Sequence, residues 1–394
     1  MDDFNVEDFL HKIKAQITSD NPDVTEEQAD KAARQILEGF VKAGSKGSDF
    51  SGIIGGADGS TMCMGASPFA LYDDVPNGKY ELPDGSVLQV GPPIEKPLEI
   101  SPETREKLDK ILAEVDKQLP LTETVRLKLS RGKTTVFDSK MGGKPYFPKG
   151  IEYPTVREGE NAGKPLYFLA QLNFGKLPEL PNFSSEGILQ FFAGCEGDNV
   201  YGANFDDWTN QNAFRVIYHE TVSEDAPQGE TPHFEFDEEF FPFKGEFRLT
   251  AEKPSQMPVT CCDFRYEKAV LSVYNKLFGG NVTIMFGKGG LCQIDEPLFD
   301  ALMETRELNG TRMGGYPYFT QDDSRGLSRT DGKKDAYSGH TVLLFQSDSE
   351  NGGDPANWKD DVCWGDAGVA NFFITPEDLA KSDFSNVLYT WDCS

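Results

Sequence analysis

A chain of 394 residues is long enough for two to three domains and a sizeable core. Its 38 Lys+Arg against 65 Asp+Glu give a net charge of −27, with no basic cluster to replace phosphate counterions, so nucleic acid is excluded as a partner. No apolar stretch reaches the length of a membrane span, and the acidic start Met1-Asp2-Asp3 is the reverse of a signal peptide, so no membrane contact is expected and the location is read as cytoplasmic.

The first 45 residues are expected to form a small helical module. Phe9, Leu10, Ile13 and Ile17 share one helix face, and Thr25-Glu26-Glu27-Gln28 reads as a capping box ahead of Ala32, Ala33, Ile36, Leu37 and Phe40. Residues 46–120 are expected to be linker, hairpin and helix leading into the body. Tyr80 and Leu82, then a Pro83-Asp84-Gly85 turn, then Leu88 and Val90 predict the hairpin. Ser101-Pro102-Glu103 predicts a capped helix start, with Leu108, Ile111, Leu112 and Val115 on its apolar face. Val125, Leu127 and Leu129 alternate as a strand. The acidic segment 222–240 is expected at a sheet edge or in a loop. Leu291-Cys292-Gln293-Ile294 reads as a strand, and Pro297 to Leu308 as a helix.

Residues 121–394 are expected to be one body that uses a single structural idea twice, over about 121–250 and 265–394. Met141-Gly142-Gly143-Lys144-Pro145-Tyr146-Phe147 returns as Met313-Gly314-Gly315-Tyr316-Pro317-Tyr318-Phe319. Pro165 to Gln171 is echoed by Thr341 to Gln346, and Gly187 to Phe192 by Gly368 to Phe373, in the same order. The fold class that follows is α+β: a largely antiparallel, β-rich body of two similar repeat units, with the helical module at its N-terminus. Duplicated units often pack about a pseudo-two-fold axis, which predicts a groove between them.

Several of these strings resemble the YwqG-like family of bacterial proteins. They are Ser139-Lys140-Met141-Gly142-Gly143-Lys144-Pro145-Tyr146, Phe168 to Phe174, Gly187 to Phe192, and above all Trp364-Gly365-Asp366-Ala367-Gly368-Val369-Ala370-Asn371-Phe372-Phe373-Ile374, with the ending Tyr389-Thr390-Trp391-Asp392-Cys393. The resemblance covers roughly residues 130–394. It implies a compact α+β fold built largely of antiparallel strands, no settled activity, and an association of some members with toxin–immunity gene neighbourhoods.

The candidate site residues fall in the echoed segments. Trp364 offers a stacking plane and Asp366 an acceptor, with glycines that permit close backbone approach. Gln171, Gln190, Gln346 and Asn371 end apolar strands in matching places, where amides either hydrogen-bond a polar ligand in the groove or satisfy loop backbone. Asp348, Glu350 and Asp354 are weak candidates for a cation, since the loop fails the calcium-loop template at its fifth and twelfth positions. Seven Cys with no Cys-x-x-Cys spacing read as reduced thiols, without zinc. Of the four histidines, His11, His219, His233 and His340, none stands in a nucleophile motif, and no cofactor is indicated. The leading expectation is a non-enzymatic binding protein, immunity-like, whose acidic surface meets a basic protein partner. The alternative is an enzyme or small-molecule binder using Asp348 and Asp366 in the groove.

Overall fold

The computed structural model describes residues 100–194, 200–232, 241–282, 290–304, 309–326, 337–350 and 361–393, and the backbone of four short strands nearer the N-terminus. The helices expected in the first 45 residues lie outside the described residues. The chain divides into two compact units, Met1–Pro97 and Leu98–Ser394. In the first, β1 (Ile53–Gly55) pairs with β2 (Thr61–Cys63), and β3 (Gly78–Glu81) with β4 (Val87–Val90). Tyr80 stands opposite Leu88, the pairing that the Pro83-Asp84-Gly85 turn calls for.

The second unit opens with helix α1 (Pro102–Gln118), started by Ser101, whose hydroxyl accepts the Thr104 N–H at 3.1 Å. Strand β5 (Thr122–Arg131) buries Val125, Leu127 and Leu129. There follow β6 (Lys140–Gly142), β7 (Tyr167–Asn173), β8 (Ile188–Ala193), β9 (Phe214–His219), β10 (Glu246–Ala251) and β11 (Ser255–Met257). Next come α2 (Tyr266–Phe278), α3 (Glu296–Glu304), β12 (Arg312–Gly314), β13 (Val342–Asp348), β14 (Val369–Ile374), α4 (Pro376–Ala380) and β15 (Leu388–Asp392). Residues 291–293, read from sequence as strand, lie in a 3-10 turn over Gly290–Gln293. Gly290 takes φ 77° and the Leu291 N–H bonds Glu267 Oε1 at 3.0 Å, which holds the segment against α2 and away from any strand.

These strands form one eleven-stranded sheet in the order β15-β14-β13-β12-β5-β10-β6-β7-β8-β9, with β11 added alongside β5. Every pairing among the described residues is antiparallel. The series β6 to β9 and the series β12 to β15 each run as a meander outward from the centre. Each carries a bulge at the same point, between Phe168 and Ala170 in β7 and between Leu343 and Phe345 in β13. The central strands cross over: β6 pairs with the later β10, and β12 with the earlier β5. Gly142 and Gly314 make these junctions possible. Both have positive φ, 63° and 68°, and a Cβ there would stand 2.3 Å from Gly245 O or 2.6 Å from Glu123 O.

The sheet folds back so that its two wings face one another. Phe191 of β8 meets Phe345 of β13 at 5.1 Å and Phe372 of β14 at 4.6 Å, and Phe214 meets Tyr389 at 5.1 Å. This aromatic filling is the main core. A smaller core gathers Leu108, Ile111 and Val115 of α1 with Val270 of α2 and Leu298 and Leu302 of α3. Among the described residues no helix is long and apolar enough to cross a membrane.

Candidate functional site

Side chains alternate along a strand, so the residues beside the core aromatics face outward. Gln171 and Gln190 occupy the outward face of one wing; Gln346 and Asn371 occupy that of the other. All four are fully buried, because each wing is covered by its own Gly-Gly-x-Pro-Tyr-Phe segment. Gln171 Oε1 accepts the Tyr146 N–H at 3.0 Å, and Gln346 Oε1 accepts the Tyr318 N–H at 2.8 Å. Gln190 Nε2 donates to Tyr146 O at 2.7 Å, and Asn371 Nδ2 donates to Tyr318 O at 2.8 Å. Gln171 Nε2 holds Val136 O and Asp138 O, and Gln346 Nε2 holds Gly310 O, each at 2.8 Å. The amides therefore clamp two loops to two outward faces. They do not line one cleft, and the space between the wings is filled by phenylalanine.

Two buried cations complete these clamps. Lys140 donates to Thr135 O at 3.0 Å and to Lys144 O, and burial pulls its pKa down to about 8. Arg312 donates to Gly310 O at 3.2 Å and to Asn309 O. One strand turn further, Asn173 N–H reaches Ser139 Oγ at 2.9 Å, and Asp348 N–H reaches Thr311 Oγ1 at 3.2 Å.

The remaining candidates are dispersed. Trp364 is fully buried in the main core, where its Nε1–H donates to Ser347 Oγ at 3.0 Å and its ring meets Tyr201 edge-on at 5.2 Å. Asp366 sits exposed at the tip of a turn closed by the Trp364–Gly368 bridge, between Gly365 and Ala367 at φ 59° and 57°. Trp364 and Asp366 thus point to opposite environments. Asp348 is buried and accepts from the Ser349 N–H at 2.9 Å and from the Gly310 N–H; burial raises its carboxyl to about 6, with Glu350 adding to the rise. Glu350 pairs with Arg126 at 3.1 Å and accepts the Thr311 N–H. Asp354 lies outside the described residues. No group of three His, Cys, Asp or Glu able to hold a metal comes together among the described residues.

Polar features that the sequence reading passed over stand behind the second clamp. Arg325, fully buried, binds Asp263 at 3.1 Å and Asp323 at 2.7 Å and lies over the Phe373 ring at 4.0 Å. That network ties the segment before α2 to the loop after Phe319. Asp392 and Thr320 sit at the open end of the same loop, half-buried. Asp392 Oδ2 accepts the Gln321 N–H at 2.8 Å, and burial raises its carboxyl despite that bond. Extending the alignment of the two echoes by one strand sets His219 against Asp392, which is the signal that could have found it. The described thiols Cys261, Cys262, Cys292, Cys363 and Cys393 are free.

A family model described as a domain of unknown function (DUF1963) matches residues 139–393. No curated protein matches the chain.

Proposed function

We propose, from the premise that the chain belongs to the family described as a domain of unknown function, DUF1963, that it is a non-enzymatic binding protein whose acidic surface meets a basic partner. Where the charges go carries this reading. Arg325 and Arg265 are turned inward onto Asp323 and Asp263, and the half-exposed Arg131 and Arg248 are tied to Asp361 and Asp138. Each such pair removes one charge of each sign, so 65 Asp+Glu against 38 Lys+Arg leave a net charge of −27. Such a field speeds encounter with a cation-rich surface and repels anionic ones.

The finer placement among YwqG-like proteins, a cytoplasmic location and an immunity-like role belong to the same proposal. So does the reading of the body as one unit used twice with its first strands exchanged. The paired bulges, the two amide clamps and the crossed pairing of β5 and β10 support it. The test is titration of the full chain with a Lys-rich peptide and with its Gln-substituted counterpart at rising salt. The Lys-rich peptide binds, the neutral one does not, and affinity falls as the Debye length shrinks from roughly 30 Å at 0.01 M to roughly 8 Å at 0.15 M. Equal binding of both peptides, or none at low salt, removes the proposal.

One observation favours the second reading, an enzyme using carboxylates. Asp348, at about 6, has the raised pKa of a general acid. Its intended partner Asp366 is exposed on a separate turn, which weakens the pairing.

A further inference from the structure

Cys261 and Cys262 are neighbours in the chain and fill the two central positions of a tight turn, closed by the Asp263 N–H on Thr260 O at 3.2 Å. Both ends of the turn are buried and tied down. Thr260 Oγ1 donates to Pro317 O at 2.8 Å, and Asp263 binds Arg265 at 2.7 Å and the fully buried Arg325 at 3.1 Å. The two cysteines between these anchors are only half-buried, and both thiols are free. The turn thus presents two sulfurs on adjacent residues from a fixed base.

The two thiols are unequal. The neighbouring Cys262 thiol holds Cys261 below its ordinary range, whereas Cys261 and burial push Cys262 above its own, with Asp392 adding to the rise. Cys261 therefore gives up its proton first, and Cys262 keeps one. Their surroundings differ in the same sense. Cys261 Sγ lies against the carbonyl of the exposed Met303 at 3.5 Å, while Cys262 Sγ meets Phe319 O at 3.5 Å in the segment that covers the second wing. An accessible thiol that ionises early, beside a second thiol that stays protonated, is the arrangement of a redox-sensing cysteine and its resolving partner.

We propose that Cys261 and Cys262 form a redox-sensing pair, in which Cys261 reacts with hydrogen peroxide and Cys262 resolves the product to a disulfide between the two. The Cys261 thiolate attacks one peroxide oxygen and the O–O bond breaks. The sulfur is oxidised to a sulfenic acid, and the departing hydroxide takes up the proton that Cys261 released, giving water. Cys262 Sγ then attacks the Cys261 sulfur and the S–O bond breaks. The hydroxide that leaves takes the Cys262 thiol proton as a second water. Two thiols and one peroxide thus give one disulfide and two waters. Consecutive Cα atoms stand about 3.8 Å apart, short of the roughly 4.4–6.8 Å usual for a disulfide, so the closed ring is strained and easily reduced. That suits a reversible sensor and not a structural link. The pair needs neither the acidic surface nor a basic partner.

Treatment of the full chain with hydrogen peroxide, followed by alkylation and peptide mass mapping, tests the pair. In the native chain the peptide holding both cysteines becomes lighter by the two thiol hydrogens and escapes alkylation, while the exposed Cys292 is still alkylated. Reduced glutathione then restores both thiols. Cys262→Ser stops at the sulfenic acid, which dimedone traps on Cys261. In Cys261→Ser, Cys262 reacts at least about tenfold more slowly than Cys261 does in the native chain, because a thiol with a raised pKa offers little thiolate. The proposal is overturned if Cys261 reacts no faster than Cys292, or if the two single variants react at equal rates. It is also overturned if Cys261 or Cys262 pairs with any other cysteine, or if the oxidised native chain carries sulfenic acid and no bond between the two. Should a variant not fold, the peptide masses of the native chain decide alone.

Discussion

Asp348 and Asn173 hold matching places at the ends of β13 and β7, yet one is a carboxylate and the other an amide. Asn173 donates to Phe137 O at 2.7 Å, whereas Asp348 only accepts. Burial leaves the Asp348 carboxyl at about 6, above the ordinary 3.8, so the folded protein holds this proton more tightly than the unfolded chain does. The contribution to stability is therefore complete below about pH 4 and is lost as pH rises through about 6. About two pH units correspond to about 3 kcal/mol. Asp348→Asn does not titrate, so the stability of the native chain relative to this variant falls by about that amount between about pH 4 and pH 7. Urea denaturation of both proteins across this range checks it, and a flat difference shows that the carboxyl is not raised. The four amides were legible in the sequence as a matched set, although they lie inside β7, β8, β13 and β14 and not at the strand ends where the sequence put them. Which way they point was not, because a period-two pattern in a wholly apolar strand leaves both faces open until the covering loop is known. Asp392 was legible only by comparison with His219, a contrast between the two meanders and not a motif within either.

Helix α1 shows local signals and tertiary need agreeing. Ser101 as cap, Pro102 in the first turn and an apolar face at Leu108, Ile111 and Val115 were all readable, and all are used. Ser101→Ala removes an acceptor from the first turn and costs about 1 kcal/mol. Thermal unfolding measures it, and an unchanged midpoint would mean that packing alone fixes the start. Helix α2 went unread although its pattern was present: Tyr266, Ala269, Val270 and Val273 recur at helical spacing, and Gly279 at φ 71° closes it. The pattern of α2 lies outside the echoed strings, between the two meanders. The short turn at Gly290–Gln293 was mistaken for strand because four residues are too few to distinguish the two periods.

On the scale of the whole molecule, the crossing of β5 and β10 binds the two wings into one cooperative object. The second meander leans on a strand that precedes the first, since β12 rests on β5, and β10 joins β5 to β6. Phe191 against Phe345 and Phe372 adds a shared core. The slowest-exchanging amides of β7–β8 and of β13–β14 are expected to report the same opening free energy, that of global unfolding. Native-state hydrogen exchange measures this, and a gap of more than about 1 kcal/mol between the wings would show two folding units. The echoes announced the meanders, but not the crossing, since a repeated motif says what recurs and not which copy it pairs with.

That crossing also sets a timetable on the ribosome. Strand β5 emerges early, yet its neighbour β12 begins only at Arg312. At roughly 5–20 residues per second, the interval is on the order of ten seconds or longer. Throughout it, an apolar strand with an open edge waits among other nascent chains. Arg126, Lys128 and Arg131 are spaced along that strand, and charges at an unpaired edge are a known guard against sticking to a neighbour.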